Sequence, residues 1–159
     1  MNIFIEKITT IDEIFKNISI FNDCFIESTE NRVGNLWDYS AKISCYGNTY
    51  VVKIKDKTIG IIIFYSNDLI SKTAYITMIA VKNEYKGNGI GKKLLKLSEV
   101  LAIKSGMKYI KLEVHKENIS AIRFYEKSGY FYLDIASDTT IFLQKELNYA
   151  TMDKEGQGI

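Results

Sequence analysis

From Lys82 to Lys93 the chain reads Lys82-Asn83-Glu84-Tyr85-Lys86-Gly87-Asn88-Gly89-Ile90-Gly91-Lys92-Lys93. Three glycines fall at alternate positions. Just upstream, residues 73–81 are rich in β-branched and aromatic side chains, the composition of a strand. Just downstream, Ile90, Leu94, Leu97 and Leu101 recur at i, i+4, i+7 and i+11, one apolar stripe of a helix. Gly106 is placed to stop that helix. Backbone N–H groups at a helix start lack partners and carry partial positive charge. Glycines there let a ligand approach the main chain closely. Strand, glycine loop and helix N-terminus together predict an anion site, typically for phosphate. Lys82, Lys86, Lys92, Lys93 and Lys96 against the single acid Glu84 favour a polyanion.

Two common phosphate motifs do not fit. In the P-loop pattern Lys92, five residues after Gly87, stands where a second glycine belongs, and no Ser or Thr follows the lysine. In the dinucleotide fingerprint Lys92 again takes the place of the last glycine. Read alone, the stretch could instead be only a turn followed by a solvated lysine face, the lesser of the two readings.

Outward from this point the chain alternates short strands and helices. Residues 2–8 read as a strand. Thr10 can cap a helix, with Glu13 as its capping-box partner and Ile11, Ile14, Phe15 and Ile18 at helical spacing. Residues 36–44 read as a second helix. Residues 50–55 and 58–65 form a hairpin across the polar turn Lys55-Asp56-Lys57-Thr58. After the long helix, residues 109–114 alternate, with Ile110, Leu112 and Val114 on one face and Lys111, Glu113 and His115 on the other. Residues 118–127 make a short helix ended by Gly129, and residues 130–135 and 139–145 are two closing strands. The order β α α β β β α β α β β calls for a mixed sheet with helices on its faces.

Composition narrows the class. The chain has 159 residues, 47% hydrophobic and 25% charged, which is ordinary for one globular domain. We expect that domain over residues 1–147 and a frayed tail over 148–159, where apolar periodicity stops. There is no proline, so turns rest on Gly, Asn, Asp and Ser. Cys24 and Cys45 are too few for a disulfide framework and read as reduced thiols of a cytoplasmic protein. A net charge of +2 argues against a nucleic-acid partner, and no apolar run is long enough for a membrane partner. The first residues read as a strand and not as a secretory signal. No His, Cys and carboxylate cluster has metal spacing. His115 is the only histidine, and nothing in the sequence sets a cysteine beside it.

A second constellation lies downstream. Asn118, Ala121, Ile122 and Tyr125 share one face of the short helix, with Asn118 and Tyr125 its polar members. Such groups need partners, and a ligand could be one. Asn118 could also simply cap the helix and Tyr125 be a core aromatic with a wet tip, and both can hold together with a ligand role. Here the sequence resembles a known family. Val81 to Leu95 is similar to the acetyl-CoA loop of the GNAT N-acetyltransferases, Arg/Gln-x-x-Gly-x-Gly/Ala, with Lys86, Gly89 and Gly91 at the motif positions. Asn118 to Tyr130 resembles that family's N-x-x-A-x-x-F-Y-x-x-x-G-F/Y block. The resemblance runs over about residues 51–145 and is weak over the first fifty. Three departures stand out: Lys86 for Arg/Gln, Asn83 for a frequent proline, and Tyr75 where histone-type members carry a catalytic glutamate.

The resemblance implies an α/β (α+β) fold, a mixed and mostly antiparallel central sheet of about seven strands flanked by about four helices. It implies direct transfer of acetyl from acetyl-CoA to an amine, with acetyl-CoA as co-substrate and no metal. The amine must lose a proton before attack, and the departing CoA thiolate gains from a proton donor. Tyr125 matches the family tyrosine near the thioester sulfur and takes the role of general acid. Glu113, twelve positions earlier, is the candidate base, as in members that acetylate ribosomal-protein N-termini. It could equally be an exposed sheet carboxylate, and Glu84 is a poorer candidate. Backbone N–H groups near Ile79, Ala80 and Val81 would hold the thioester carbonyl. Those of Lys86, Gly87, Asn88, Gly89, Ile90, Gly91 and Lys92 would hold the pyrophosphate, and Asn118, Ala121 and Tyr125 would line the cofactor.

The acceptor is expected to be a small amine, such as an amino sugar or a polyamine-like molecule. Phe21, Asp23, Phe25, Glu27, Glu30, Trp37, Asp38 and Tyr39 could line its pocket or belong to the core. A protein N-terminus or lysine is the alternative acceptor, and a non-catalytic acyl-CoA-binding module is the alternative class. Tyr130, Phe131 and Tyr132 read as exposed aromatics that would suit a homodimer edge.

Overall fold

The computed structural model describes residues 1–25 and 33–149. Its strands are β1 (Phe4–Ile8), β2 (Asn48–Ile54), β3 (Lys57–Tyr65), β4 (Thr73–Val81), β5 (Tyr109–His115), β6 (Phe131–Ile135) and β7 (Thr140–Glu146). Its helices are α1 (Ile11–Ile20), α2 (Leu36–Tyr46), α3 (Ile90–Lys104) and α4 (Ile119–Lys127), with 3-10 turns at Asn22–Cys24 and Asn83–Tyr85. The strands hydrogen-bond in the order β1-β2-β3-β4-β5-β7-β6. β4 and β5 pair in parallel and the other recorded ladders are antiparallel. A parallel pair needs a crossover, and α3 supplies it. Among the described residues, the mixed seven-stranded sheet with four helices is the architecture the resemblance implied.

The chain divides into two compact units. One comprises residues 1–65 and 78–95 and the other residues 66–77 and 96 onward. In the first, Thr10 caps α1 by accepting the Glu13 N–H at 3.2 Å, and Asn35 caps α2 by accepting those of Trp37 and Asp38. Ile14, Ile18, Phe21, Ile43, Ile61 and Met78 belong to its core. β3 is buried from Thr58 to Phe64, so its Ile61-Ile62-Ile63 run reads as a strand covered on both faces. At Gly60 an added Cβ would lie 3.2 Å from Ile90 and 3.3 Å from Leu94, so the missing side chain lets the start of α3 seat against β3.

In the second unit β4 and β5 pair over four positions, from Thr73 against Tyr109 to Ile76 against Leu112. β5 then runs antiparallel to β7 along its whole length. His115 is the last residue of β5 and not beyond it as the sequence suggested, because the β5–β7 ladder continues to pair it with Thr140. Tyr130 is fully buried, so it cannot belong to an exposed aromatic edge; it precedes β6 and points into the core. Phe131 and Tyr132 are exposed as expected, and all of β6 is exposed at the end of the sheet. Of the proposed tail, residues 150–159 lie outside the described residues, as do Glu27 and Glu30. Among the described residues no helix is long and apolar enough to cross a membrane.

Candidate cofactor and catalytic site

The glycine loop, the candidate cofactor site, belongs to the first unit. β4 ends at Val81, where the Lys82 N–H donates to the Ile59 carbonyl at 2.9 Å. Ala80 and Val81 are buried and Ile79 half-buried, which holds the strand end rigidly. The turn at Asn83–Tyr85 follows, and the Lys86 N–H closes it onto the Asn83 carbonyl at 3.3 Å. That N–H is therefore already used, and the run of open donors begins at Gly87. Gly87 has φ +82° and Gly89 φ +77°, left-handed values that an L side chain resists. Asn88 between them is not left-handed, and φ alternates in sign from Lys86 to Gly89. A loop of this kind just ahead of a helix start can present backbone N–H groups to an anion. The Asn88 side chain stiffens it by donating to the Tyr85 carbonyl at 3.0 Å.

The first intrahelical bond of α3 is that of the Lys93 N–H to the Gly89 carbonyl, 3.0 Å. The N–H groups of Ile90, Gly91 and Lys92 thus have no carbonyl behind them in the helix. A Cβ placed on Gly87 or Gly89 would meet no heavy atom within 4 Å. The loop is open, and a phosphate could come as near as the backbone allows. These residues fit the pyrophosphate of a CoA thioester.

The lysine cluster is smaller than its sequence count. Lys82 donates from Nζ to the Ile20 carbonyl at 2.6 Å and lies 5.3 Å from the Phe21 ring centroid. Its ammonium is thereby engaged at the end of α1. Lys86, Lys92 and Lys93 are exposed. Glu84 pairs with Lys57 at 3.4 Å. Its own backbone N–H first, then Lys57, hold its carboxyl below the usual range, which suits a charged surface group better than a base.

The second unit carries the side-chain chemistry. Asn118 caps α4 by accepting the Ala121 N–H at 3.2 Å, so the capping alternative describes its Oδ1. Asn118 is half-buried, not fully buried. Tyr125 is 7% exposed and packs edge-on against Phe124 at 5.2 Å and Tyr130 at 5.8 Å between ring centroids. Glu113 is exposed on β5 and accepts a hydrogen bond from the Thr140 hydroxyl of β7. His115 accepts the Glu117 N–H at Nδ1, 3.2 Å. Among the described residues no group of three or more His, Cys, Asp or Glu is arranged for a metal ion.

On the acceptor side, Phe21 is fully buried and belongs to the core, so it cannot line a pocket. Trp37, Asp23 and Asp38 are exposed, with Trp37 packed edge-on against Phe15 at 5.5 Å. Burial first, and then the nearby Tyr39, push the Tyr65 hydroxyl up to about 12.

The sequence reading missed Glu99 and Lys145. Glu99 lies on α3 and is 5% exposed. Its Oε1 accepts from the Tyr130 hydroxyl at 3.0 Å and its Oε2 pairs with Lys145 at 3.1 Å. No local pattern marked it: that every member of the run Leu97-Ser98-Glu99-Val100 is buried shows only in the structure. The single stripe through Ile90, Leu94, Leu97 and Leu101 understates a helix covered on more than one side; Leu101 is only half-buried.

Comparison with known proteins places the chain in a family. The sequence pattern of the acetyltransferase (GNAT) family matches residues 15–130. An uncharacterized N-acetyltransferase of Methanocaldococcus jannaschii is 32% identical over 114 residues, 66% of this chain and 71% of that protein. N-alpha-acetyltransferase 30 of Schizosaccharomyces pombe is 39% identical over 56 residues, a match that spans 35% of this chain and 37% of that relative's length. Among solved structures, the PaiA N-acetyltransferase of Thermoplasma acidophilum, in complex with coenzyme A, superposes with a TM-score of 0.71. It is 22% identical, with 92% of this chain and 99% of that one covered, a likeness of fold. The chain belongs to the GNAT family of acetyl-CoA-dependent N-acetyltransferases.

Proposed function

We propose that the protein moves the acetyl group of acetyl-CoA directly to the primary amine of a small molecule, such as an amino sugar or a polyamine-like amine. The observation that carries this reading is the open loop of Gly87 and Gly89 ahead of three unmatched N–H groups at the start of α3. In this reading the N–H groups from Gly87 to Lys92 hold the pyrophosphate, and those near Ile79 to Val81 polarise the thioester carbonyl. Glu113 takes the proton of the attacking amine. A C–N bond forms, the C–S bond breaks, and Tyr125 gives its hydroxyl proton to the leaving sulfur. Tyrosine suits that role because it stays protonated at neutral pH. The exposed Trp37, Asp23 and Asp38 support a cationic acceptor, since a ring face and a carboxylate both attract an ammonium.

One observation favours a second reading, acetylation of a protein N-terminus: the match to N-alpha-acetyltransferase 30, together with Glu113. A cytoplasmic setting belongs to either reading, given free Cys24 and Cys45. So does a homodimer through the exposed β6 edge, which analytical ultracentrifugation would detect.

Calorimetric titration with acetyl-CoA, with NAD and ATP as controls, tests the cradle. Micromolar binding of acetyl-CoA alone is the expected result, and absence of binding overturns the reading. A screen of small amines and N-terminal peptides for thiol release then separates the acceptors. Binding without turnover on any acceptor would instead favour a non-catalytic acyl-CoA module.

A further inference from the structure

We propose that Glu99 is a positioning residue for Tyr125, acting through Tyr130; the inference rests on the reading of Tyr125 as proton donor. Tyr125 lies two residues from the end of α4, where helices fray. A proton donor there needs an anchor. Tyr130 provides two links to it: its N–H donates to the Tyr125 carbonyl at 3.0 Å, and its ring meets the Tyr125 ring edge-on at 5.8 Å. Tyr130 is held at its far end, where its hydroxyl donates to Glu99. Glu99 is fixed in turn by Lys145 of β7, whose Nζ also lies 5.9 Å from the Tyr130 ring centroid.

The path of Lys145 explains Gly129. The residue has φ +93°, and an added Cβ would lie 3.3 Å from Lys145 Cε. A side chain at that position would crowd the lysine as it reaches Glu99. Stability alone does not account for the arrangement. Taking a carboxylate out of water is costly, and an apolar side chain of similar volume would commonly stabilise a core as well or better. What an apolar residue cannot do is accept the Tyr130 hydroxyl. That bond fixes the ring of Tyr130, and so the wall against which Tyr125 rests.

The test uses the full chain labelled with [ζ-13C]tyrosine, with the Tyr125 and Tyr130 signals assigned from Tyr125→Phe and Tyr130→Phe. Coenzyme A is the probe, so no acceptor is needed. In the wild type, coenzyme A moves the Tyr125 signal to one narrow bound line. In Glu99→Leu that line broadens or splits while calorimetric affinity for coenzyme A stays unchanged. Glu99→Gln, which still offers the Tyr130 hydroxyl an acceptor, restores the single line. Tyr130→Phe keeps the ring and removes only the hydroxyl. It behaves like Glu99→Leu and serves as the second variant if leucine at that site prevents folding. A single narrow bound line in both Glu99→Leu and Tyr130→Phe overturns the inference and leaves the role of Tyr125 intact. A wild-type Tyr125 signal that ignores bound coenzyme A removes the reading of Tyr125, and the anchor falls with it. Where an acceptor is in hand, Glu99→Leu lowers kcat about tenfold with KM for acetyl-CoA unchanged.

Discussion

The glycine loop ahead of α3 and the cluster around Tyr130 solve opposite problems. The loop is exposed, carries its chemistry on the backbone, and meets open space at Gly87 and Gly89. The cluster is buried and built from side chains: a carboxylate, an ammonium and a phenol, each satisfying another. A backbone site is set by φ and by where a helix starts, so most side chains in it can vary. A side-chain site in the core is set by partners, because a polar group there without one is costly. On that difference, Lys86 in place of Arg or Gln should leave the loop able to bind, whereas a change at Glu99, Tyr130 or Lys145 should strand a buried group.

The largest expected effect is at Tyr125. Tyr125→Phe should lower thiol release about 100-fold or more with acetyl-CoA affinity retained, as for loss of a general acid. Steady-state kinetics beside calorimetry would measure it, and an unchanged kcat would remove the assigned role. Next is Lys145→Met, which leaves Glu99 buried without its cation. We expect a loss of about 2–3 kcal/mol in urea unfolding, below the cost for a fully buried pair because Lys145 is about a quarter exposed. Lys57→Met breaks the exposed pair with Glu84 and should not change stability measurably. If the two variants behave alike, the contrast between surface and core charge fails.

Smaller effects sharpen the loop side. Gly89→Ala meets no neighbour, so its cost is conformational, about 1–2 kcal/mol for a left-handed alanine. That predicts about tenfold weaker acetyl-CoA binding if the strain relaxes the cradle. Lys86→Ala should weaken binding only about two- to threefold, a single screened charge. The reverse order would mean that side chains and not the backbone hold the pyrophosphate.

The smallest effect is on the alkaline side. Burial first, and then the charge of Glu99, push the Tyr130 hydroxyl well above 10, so the folded protein keeps a proton that the unfolded chain releases. The contribution is fully present below about pH 10 and is lost as pH rises from there through the folded value. Tyr65, pushed up to about 12, and Tyr50, also raised by burial, act in the same direction. Tyr130→Phe should make the fall in stability above pH 10 shallower by up to one proton, measurable by urea unfolding at several pH values.

Much of this was legible beforehand. The strand over 73–81 appears with the bounds read from its β-branched residues, and α3 begins at the Ile90 that opened its apolar period. The loop was legible because its signal is local: glycine permits left-handed φ, and Gly87 and Gly89 adopt it. The Asn118 cap is local too. Tyr130 was misread because a Tyr-Phe-Tyr triplet does not say which ring faces inward. Lys82 was misread because its partner, the Ile20 carbonyl, is 62 residues away.

The sequence by itself determined the order of elements, the Thr10 and Asn118 caps, the glycine turn ahead of α3 and the family, all of which rest on contacts between near neighbours or on backbone freedom. Tertiary structure alone decided which polar side chains are buried and whom they meet. Glu99, Tyr130 and Lys145 are separated by 31 and 46 positions from Glu99, and each looks like a surface residue when read in place. Their pairing follows from α3 and β7 packing around the turn after α4, and long-range packing leaves no local pattern in the residues it brings together.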